Sequence, residues 1–240
     1  MEKTKHIALA LALVHFVALW SPQGTAAERR VPSPGSLELI DMGWQNTDPQ
    51  GHLVKAHTKY FLVFKGVVAP TVHSVILLEH TKINPGEVVL DIGTGSGIQA
   101  IFAADKAKKV VATDIDPKAV ENARLNVQRY EQEKVVDVRE GDLFGPIKPD
   151  EKFDVIIFNL VYPFSKATDH LWEVHRRFFK EVNNYLTPQG RIYYQAGVID
   201  NLPEVKAMIE PNGLEIVQMH MYADKVHGRE PIVFTMQKKR

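Results

Sequence analysis

Residues Val88-Val89-Leu90-Asp91-Ile92-Gly93-Thr94-Gly95-Ser96-Gly97 constrain this chain more than any other stretch. Aliphatic residues run into an acid, three glycines follow at alternate positions, and a helical pattern opens at Ile98. Glycine tolerates the positive φ of a tight turn and has no Cβ to hold a ligand away. A strand that turns through such a loop into a helix therefore brings backbone close to a bound molecule. Glycines 93, 95 and 97 do not have the spacing G-x-G-x-x-G of a dinucleotide fold, whose third glycine would fall at Ile98.

From this point strand and helix patterns alternate. Strands are expected at residues 88–91, 109–114, 135–140, 155–159 and 191–195, and helices at 98–105, 117–130 and 170–186. Such alternation predicts an α/β fold, a Rossmann-like doubly wound and mostly parallel sheet with helices on both faces. After a helix at 202–209, two strand-like runs at 214–222 and 231–237 are separated by a short polar stretch that suits an antiparallel hairpin. Upstream, 72–81 is expected to be a helix, and 36–68 is expected to be irregular until an extended segment at 57–64.

The first residues differ from the rest. Lys3, Lys5 and His6 precede an apolar run from Ile7 to Trp20, and small residues lead to Ala27. As a helix that run would span roughly 21 Å, short of the roughly 30 Å of a bilayer's hydrocarbon. The pattern is that of a leader. The division expected is a signal peptide or membrane-targeting segment at 1–27, a linker and extension at 28–56, and one catalytic domain at 57–240. The location expected is exported or membrane-anchored, with the cytoplasm as the alternative and no stable span once the leader is removed. Formal net charge is zero, so no bulk attraction to nucleic acid is expected, and the absence of cysteine excludes disulfides, thiolate nucleophiles and cysteine-bound zinc.

Asp91 at the strand end repels a pyrophosphate and welcomes a cation. An amino acid carrying a sulfonium is such a cation, so the loop points to S-adenosylmethionine. Over residues 60–240 the chain resembles the class I S-adenosylmethionine-dependent methyltransferases, in the right order of four motifs. The resemblance implies a seven-stranded fold in which Gly93, Gly95 and Gly97 pass beneath the methionine part, with Asp91 helping to hold its amino group. Asp114, at the end of Val110-Val111-Ala112-Thr113-Asp114, would accept hydrogen bonds from the ribose hydroxyls, while Asp116 caps the helix that Pro117 begins. In Gly141-Asp142-Leu143-Phe144 the family places Asp142 near the adenine amino group and Leu143 against the ring. The fourth motif, Asn159-Leu160-Val161-Tyr162-Pro163, resembles the Asn-Pro-Pro-Tyr of methyltransferases that act on planar nitrogen, with both inner prolines lost. It implies catalytic roles for Asn159 and Tyr162, which would position and stack on the acceptor. Gly66–Ser74 with Leu77-Leu78-Glu79 is similar to the corresponding segment of the "small" methyltransferase group.

Displacement at a sulfonium demands alignment and exclusion of water, and no nucleophilic side chain or metal. The expected activity is thus methyl transfer to an unidentified acceptor, a planar nitrogen of protein or nucleic acid in the first instance, with a small molecule still open. The alternative is a cofactor-binding or catalytically vestigial domain that works through a partner. His170 and His175 lack metal spacing and are expected on the exposed side of a helix, and Arg176-Arg177 and Lys238-Lys239-Arg240 are expected to be solvated charge.

Overall fold

Two sheets organise the chain in the computed structural model, which describes residues 29–32, 38–41, 51–162, 166–197, 201–221 and 231–239. In chain order β1 (Arg29–Pro32), β2 (Glu38–Asp41), β3 (Gly51–Ala56) and β4 (Lys59–Phe64) precede α1 (Val72–His80). Then come β5 (Val88–Ile92), α2 (Ile98–Ala103), β6 (Lys109–Asp114), α3 (Pro117–Arg129), β7 (Val136–Glu140) and β8 (Phe153–Phe158). The chain continues with α4 (Trp172–Glu181), β9 (Leu186–Ala196), α5 (Leu202–Ile209), β10 (Leu214–Met221) and β11 (Ile232–Lys238).

The larger sheet has seven strands in the order β10-β11-β9-β8-β5-β6-β7. Its centre is parallel, with Leu90 opposite Val111 on one side and Ile156 on the other. These strands are covered on both faces, which is why they read as nearly continuous apolar runs. Val89, Val110, Val155 and Ile157 face a core shared with α1, α2, α3 and β4. Leu90, Val111, Ile156 and Phe158 face the opposite core, shared with α4 and α5. The expected C-terminal hairpin forms, and β11 enters between β9 and β10, antiparallel to both. The stretch 223–230 that joins them lies outside the described residues, as does the leader expected at 1–27.

Three local expectations need correction. Residues 38–41 and 51–56 are not irregular: they form β2 and β3, which pair with each other, and β3 pairs with β4 across the two-residue turn His57-Thr58. His57 takes φ 52°, the left-handed conformation that the twist of a tight hairpin demands. Gly51 and the preceding Asp48-Pro49 mimic loop chemistry and mask the strand. The long helix at 170–186 is interrupted, with 3-10 turns at Lys166–Leu171 and Val182–Asn184 flanking α4. Finally, β9 begins at Leu186, five residues early, because the turn-like 187–190 is accommodated as a bulge where Phe153 pairs with Leu186 and Val155 with Arg191.

The small antiparallel sheet docks through two asparagines. Asn122 and Asn126 lie one turn apart on α3 and are fully buried. Their Oδ1 atoms accept from Phe64 N at 2.9 Å and Leu62 N at 3.0 Å, and both Nδ2 groups donate to Leu62 O. Side-chain amides thus satisfy the otherwise open edge of β4. Asn126 Nδ2 also donates to Ser96 O at 2.8 Å, so the small sheet, α3 and the glycine loop share one hydrogen-bonded node.

Candidate active site

The order of connections reverses between β5 and β8, and in an open α/β sheet the carboxyl edge at such a point is where ligands bind. A cavity of about 260 Å³ opens there. Its walls include Ile92 to Ser96 after β5, Thr113 to Asp116 after β6, Gly141 to Leu143 after β7 and Asn159 to Val161 after β8, with 66–70 and Ser74 opposite.

The glycine loop is stitched to the neighbouring strand. Gly93 N and Thr94 N both donate to Thr113 O, at 2.8 and 3.0 Å, and Gly95 N donates to Asp114 Oδ2 at 2.9 Å. Gly93, Gly95 and Gly97 all take positive φ, 75°, 56° and 89°. At Gly93 a Cβ would also lie 2.2 Å from Leu160 Cδ2, so glycine here lets the loops after β5 and β8 touch. Gly97 caps α2 and packs on Ala123 rather than lining the cavity.

Of the residues expected at the site, Gly93, Gly95, Asp114, Asp142, Leu143 and Asn159 border this one cavity. Asp114 is held in place by Gly95 N and by Asp116 N, which donates to Oδ1 at 3.0 Å; burial raises its carboxyl above the usual range. Asp142 Oδ2 accepts from Arg177 Nη2 at 2.6 Å. Arg177, expected to be solvated, is therefore a wall of the cavity. Asp116 caps α3 as expected, accepting from Lys118 N at 2.9 Å.

Asp91 and Tyr162 do not border the cavity. Asp91 is 1% exposed and lies behind the loop, where Oδ2 accepts from Thr94 Oγ1 at 2.7 Å and the carboxylate also accepts from Ala100 N. Burial dominates its titration and, helped by the charge of Asp114, outweighs these hydrogen bonds to push it up to about 7. Asp91 thus braces the loop against α2 and does not face the cavity. Tyr162 is packed away from it: its hydroxyl lies 3.1 Å from His73 Nδ1, and its ring covers Gly197, where a Cβ would come within 1.7 Å of it. Asn159 points toward α1, with Nδ2 donating to Ser74 Oγ at 3.3 Å. His170 is exposed, but His175 is fully buried beneath this loop.

Three residues of the cavity wall each hold a polar atom that is buried without a hydrogen-bond partner among the described residues: Ser96 Oγ, Gln99 Oε1 and Thr113 Oγ1. Buried polar groups are rarely left unpaired in folded proteins. The Gln99 amide nitrogen is used, donating to Ser74 O at 2.8 Å, which leaves its oxygen as a buried acceptor without a partner. The signal for Gln99 is its place, a polar residue in the first turn of an otherwise apolar α2. No cluster of three metal-ligating side chains occurs among the described residues.

A mostly parallel seven-stranded sheet ending in an antiparallel pair, with acid-bearing loops around a glycine turn, defines the methyltransferase class of α/β folds. Residues 71–208 match the methyltransferase small domain family, and the chain belongs to it. The chain is 34% identical over 139 residues to the ribosomal protein L11 methyltransferase of Alkaliphilus oremlandii, covering 57% of this chain and 40% of that protein. It is 31% identical over 216 residues to the enzyme of the same name from Chloroflexus aurantiacus, covering 80% of this chain and 62% of that one. Against the first of these relatives the chain thus spans about two fifths of the relative's length. A crystal structure of ribosomal protein L11 methylase from Lactobacillus delbrueckii subsp. bulgaricus superposes with a TM-score of 0.62 at 19% identity, covering 88% of this chain and all of that one.

These relatives overturn the export or membrane anchoring expected from residues 1–27. The substrate in their names is a ribosomal protein. A basic, apolar and small-residue lead is a local composition that carries no information about the domain behind it.

Proposed function

We propose that this domain binds S-adenosylmethionine in the cavity after β5, β6 and β8 and transfers its methyl group to a nitrogen atom of a protein. The observation that carries the proposal is the convergence on one cavity of Asp114, the Gly93–Gly95 loop, Asp142 and Asn159, in a chain of the methyltransferase small domain family. When bound, the cofactor supplies an electrophilic methyl on a sulfonium, an effective leaving group.

The residues of this chain bind, orient and exclude water. Asp114, already oriented by two backbone amides, would accept from the ribose hydroxyls. Asp142 and Leu143 would meet the adenine. Gln99 is the residue we assign to the ammonium-holding role expected of Asp91, because it lines the cavity and its Oε1 is an acceptor without a partner. Asn159 presents its amide to the acceptor nitrogen, and Tyr162 anchors the same loop through His73 and Gly197. A protein acceptor is preferred over nucleic acid because the curated relatives are named for a ribosomal protein and the chain has no net positive charge.

Calorimetric titration of S-adenosylmethionine and S-adenosylhomocysteine, followed by transfer of a labelled methyl group to recombinant ribosomal protein L11, tests this. Micromolar binding is expected, weakened roughly 100-fold in Asp114→Ala by the loss of two charge-assisted hydrogen bonds. In Asn159→Ala turnover should fall about 100-fold with cofactor affinity little changed, as for a misplaced acceptor. A folded protein that binds neither cofactor form rejects the reading in favour of a vestigial domain.

A further inference from the structure

Beneath the floor of the cavity, in the core shared with α4, sits an imidazole that has no part in cofactor binding. His175 is fully buried, and the rings of Phe158, Trp172 and Tyr194 meet it edge-on at centroid distances of 5.2, 5.4 and 5.7 Å. Both ring nitrogens are engaged. Nε2 lies 3.1 Å from Val161 O, and Nδ1 lies 2.9 Å from the Tyr194 hydroxyl.

The chemistry of the partners sets the direction of both bonds. A carbonyl oxygen only accepts, so Nε2 carries the hydrogen. In a neutral imidazole Nδ1 is then the acceptor, and the Tyr194 hydroxyl donates to it. Burial keeps the ring neutral, lowering its pKa to about 4, and keeps the Tyr194 phenol protonated. The result is a relay from the middle of the sheet, Tyr194 O–H to His175 Nδ1 and His175 Nε2–H to Val161 O.

Val161 stands inside the loop that carries Asn159. The parallel ladder ends at Phe158, and neither Leu160 nor Val161 restricts φ as proline would. The Val161 side chain is exposed while its carbonyl turns inward to the relay. We propose that His175 and Tyr194 are positioning residues for the acceptor side of the cavity: by fixing the Val161 carbonyl they set the peptide planes from which Asn159 and Leu160 present oxygen atoms to the acceptor nitrogen. This rests on the methyl-transfer reading above. A histidine that only filled the core would be replaced by phenylalanine in this aromatic setting without consequence for the loop; a relay histidine would not.

The test uses the full chain and S-adenosylhomocysteine as the cofactor probe. In 15N-histidine-labelled protein His175 is expected as the neutral Nε2–H tautomer throughout pH 6 to 8, about two units or more above its pKa. In His175→Phe the amides of residues 160–162 should exchange about tenfold faster, the ratio for one net hydrogen bond, while β5 and β6 are unchanged. S-adenosylhomocysteine affinity should stay within about twofold, and with ribosomal protein L11 as acceptor kcat should fall about tenfold or more. His175→Gln, whose amide keeps a donor for Val161, should restore most of both. An Nδ1–H or charged imidazole, or loop exchange unchanged in His175→Phe, overturns the proposal. Should His175→Phe not fold, Tyr194→Phe decides: loss of its donor should shift the His175 Nδ1 resonance, and an unmoved resonance overturns the proposal. Wild-type protein that binds no S-adenosylhomocysteine would reject the methyl-transfer reading, whereas the exchange and tautomer measurements would still decide the relay.

Discussion

Asp91 shows how residue type and residue direction part company. An acid ending the strand before a glycine turn invites a ligand role, yet side chains alternate along a strand. Asp91 shares the face of Val89, toward α2, so its carboxylate meets Thr94 and Ala100 instead of the cavity. Burial raises its pKa in the fold from 3.8 to about 7. A raised carboxyl favours the fold fully below its unfolded pKa, and that contribution is lost as pH rises through the folded one. Between pH 4 and 7 Asp91 should therefore withdraw about 4 kcal/mol of stability. Thermal melts of wild type and Asp91→Asn at pH 4, 5.5 and 8 check this. The wild type should lose ground to the variant as pH rises, and parallel curves would place the titration elsewhere. His175 was equally open to a direction argument. Trp172, His175, Phe178, Phe179 and Val182 follow helical spacing and are all buried, so periodicity puts His175 inside although its residue type suggests the surface.

Elements were legible where their pattern is local. Strands β5 to β8 and the helices α2 and α3 appear where alternation and apolar runs put them, and Asp114, Asp142 and Asn159 emerge at successive strand ends because the βα repeat brings those ends to one edge. Of the small antiparallel sheet only the extended segment that becomes β4 was legible, and how that strand docks was hidden because its edge partner is not another strand. Asn122 and Asn126 read as ordinary polar residues of α3, and only their docking on β4 reveals them as substitutes for a neighbouring strand. Asn126→Ala should cost about 3 kcal/mol, since it strands the Leu62 amide and removes the bond to Ser96 O in a buried setting. Urea denaturation measures it. A loss below about 0.5 kcal/mol, within the range of ordinary surface substitutions, would mean the edge finds other partners.

At the scale of the molecule, charge pairs tie separate segments of the chain together. Arg191 of β9 meets Glu87 just before β5, at 2.8 Å, and Arg139 of β7 meets Glu151 at 2.7 Å. Burial alone would raise Glu87, but hydrogen bonds from Arg191 and Asn84 bring it down to about 2, and Arg139 holds Glu151 at about 2. Depressed carboxyls stabilise above their unfolded pKa and lose that contribution as pH falls through the folded one, so both pairs act against acid between about pH 4.5 and 2. Glu87→Gln should consequently lose less stability than wild type on acidification from pH 5 to 2.5, read by circular dichroism melts; an equal loss would show that the pair stays intact or contributes nothing. From β4 onward the order of strands and helices, the glycine loop, the acids at the strand ends and the family they resemble can be read from the residues alone, because these are local or periodic properties of the chain. That Asp91 and Tyr162 stand behind the cavity, that Arg177 and Gln99 line it, and that His175 supports the loop after β8 becomes visible in three dimensions alone. Those depend on which faces of distant elements meet, and such contacts are chosen by packing and hydrogen-bond satisfaction across the whole fold.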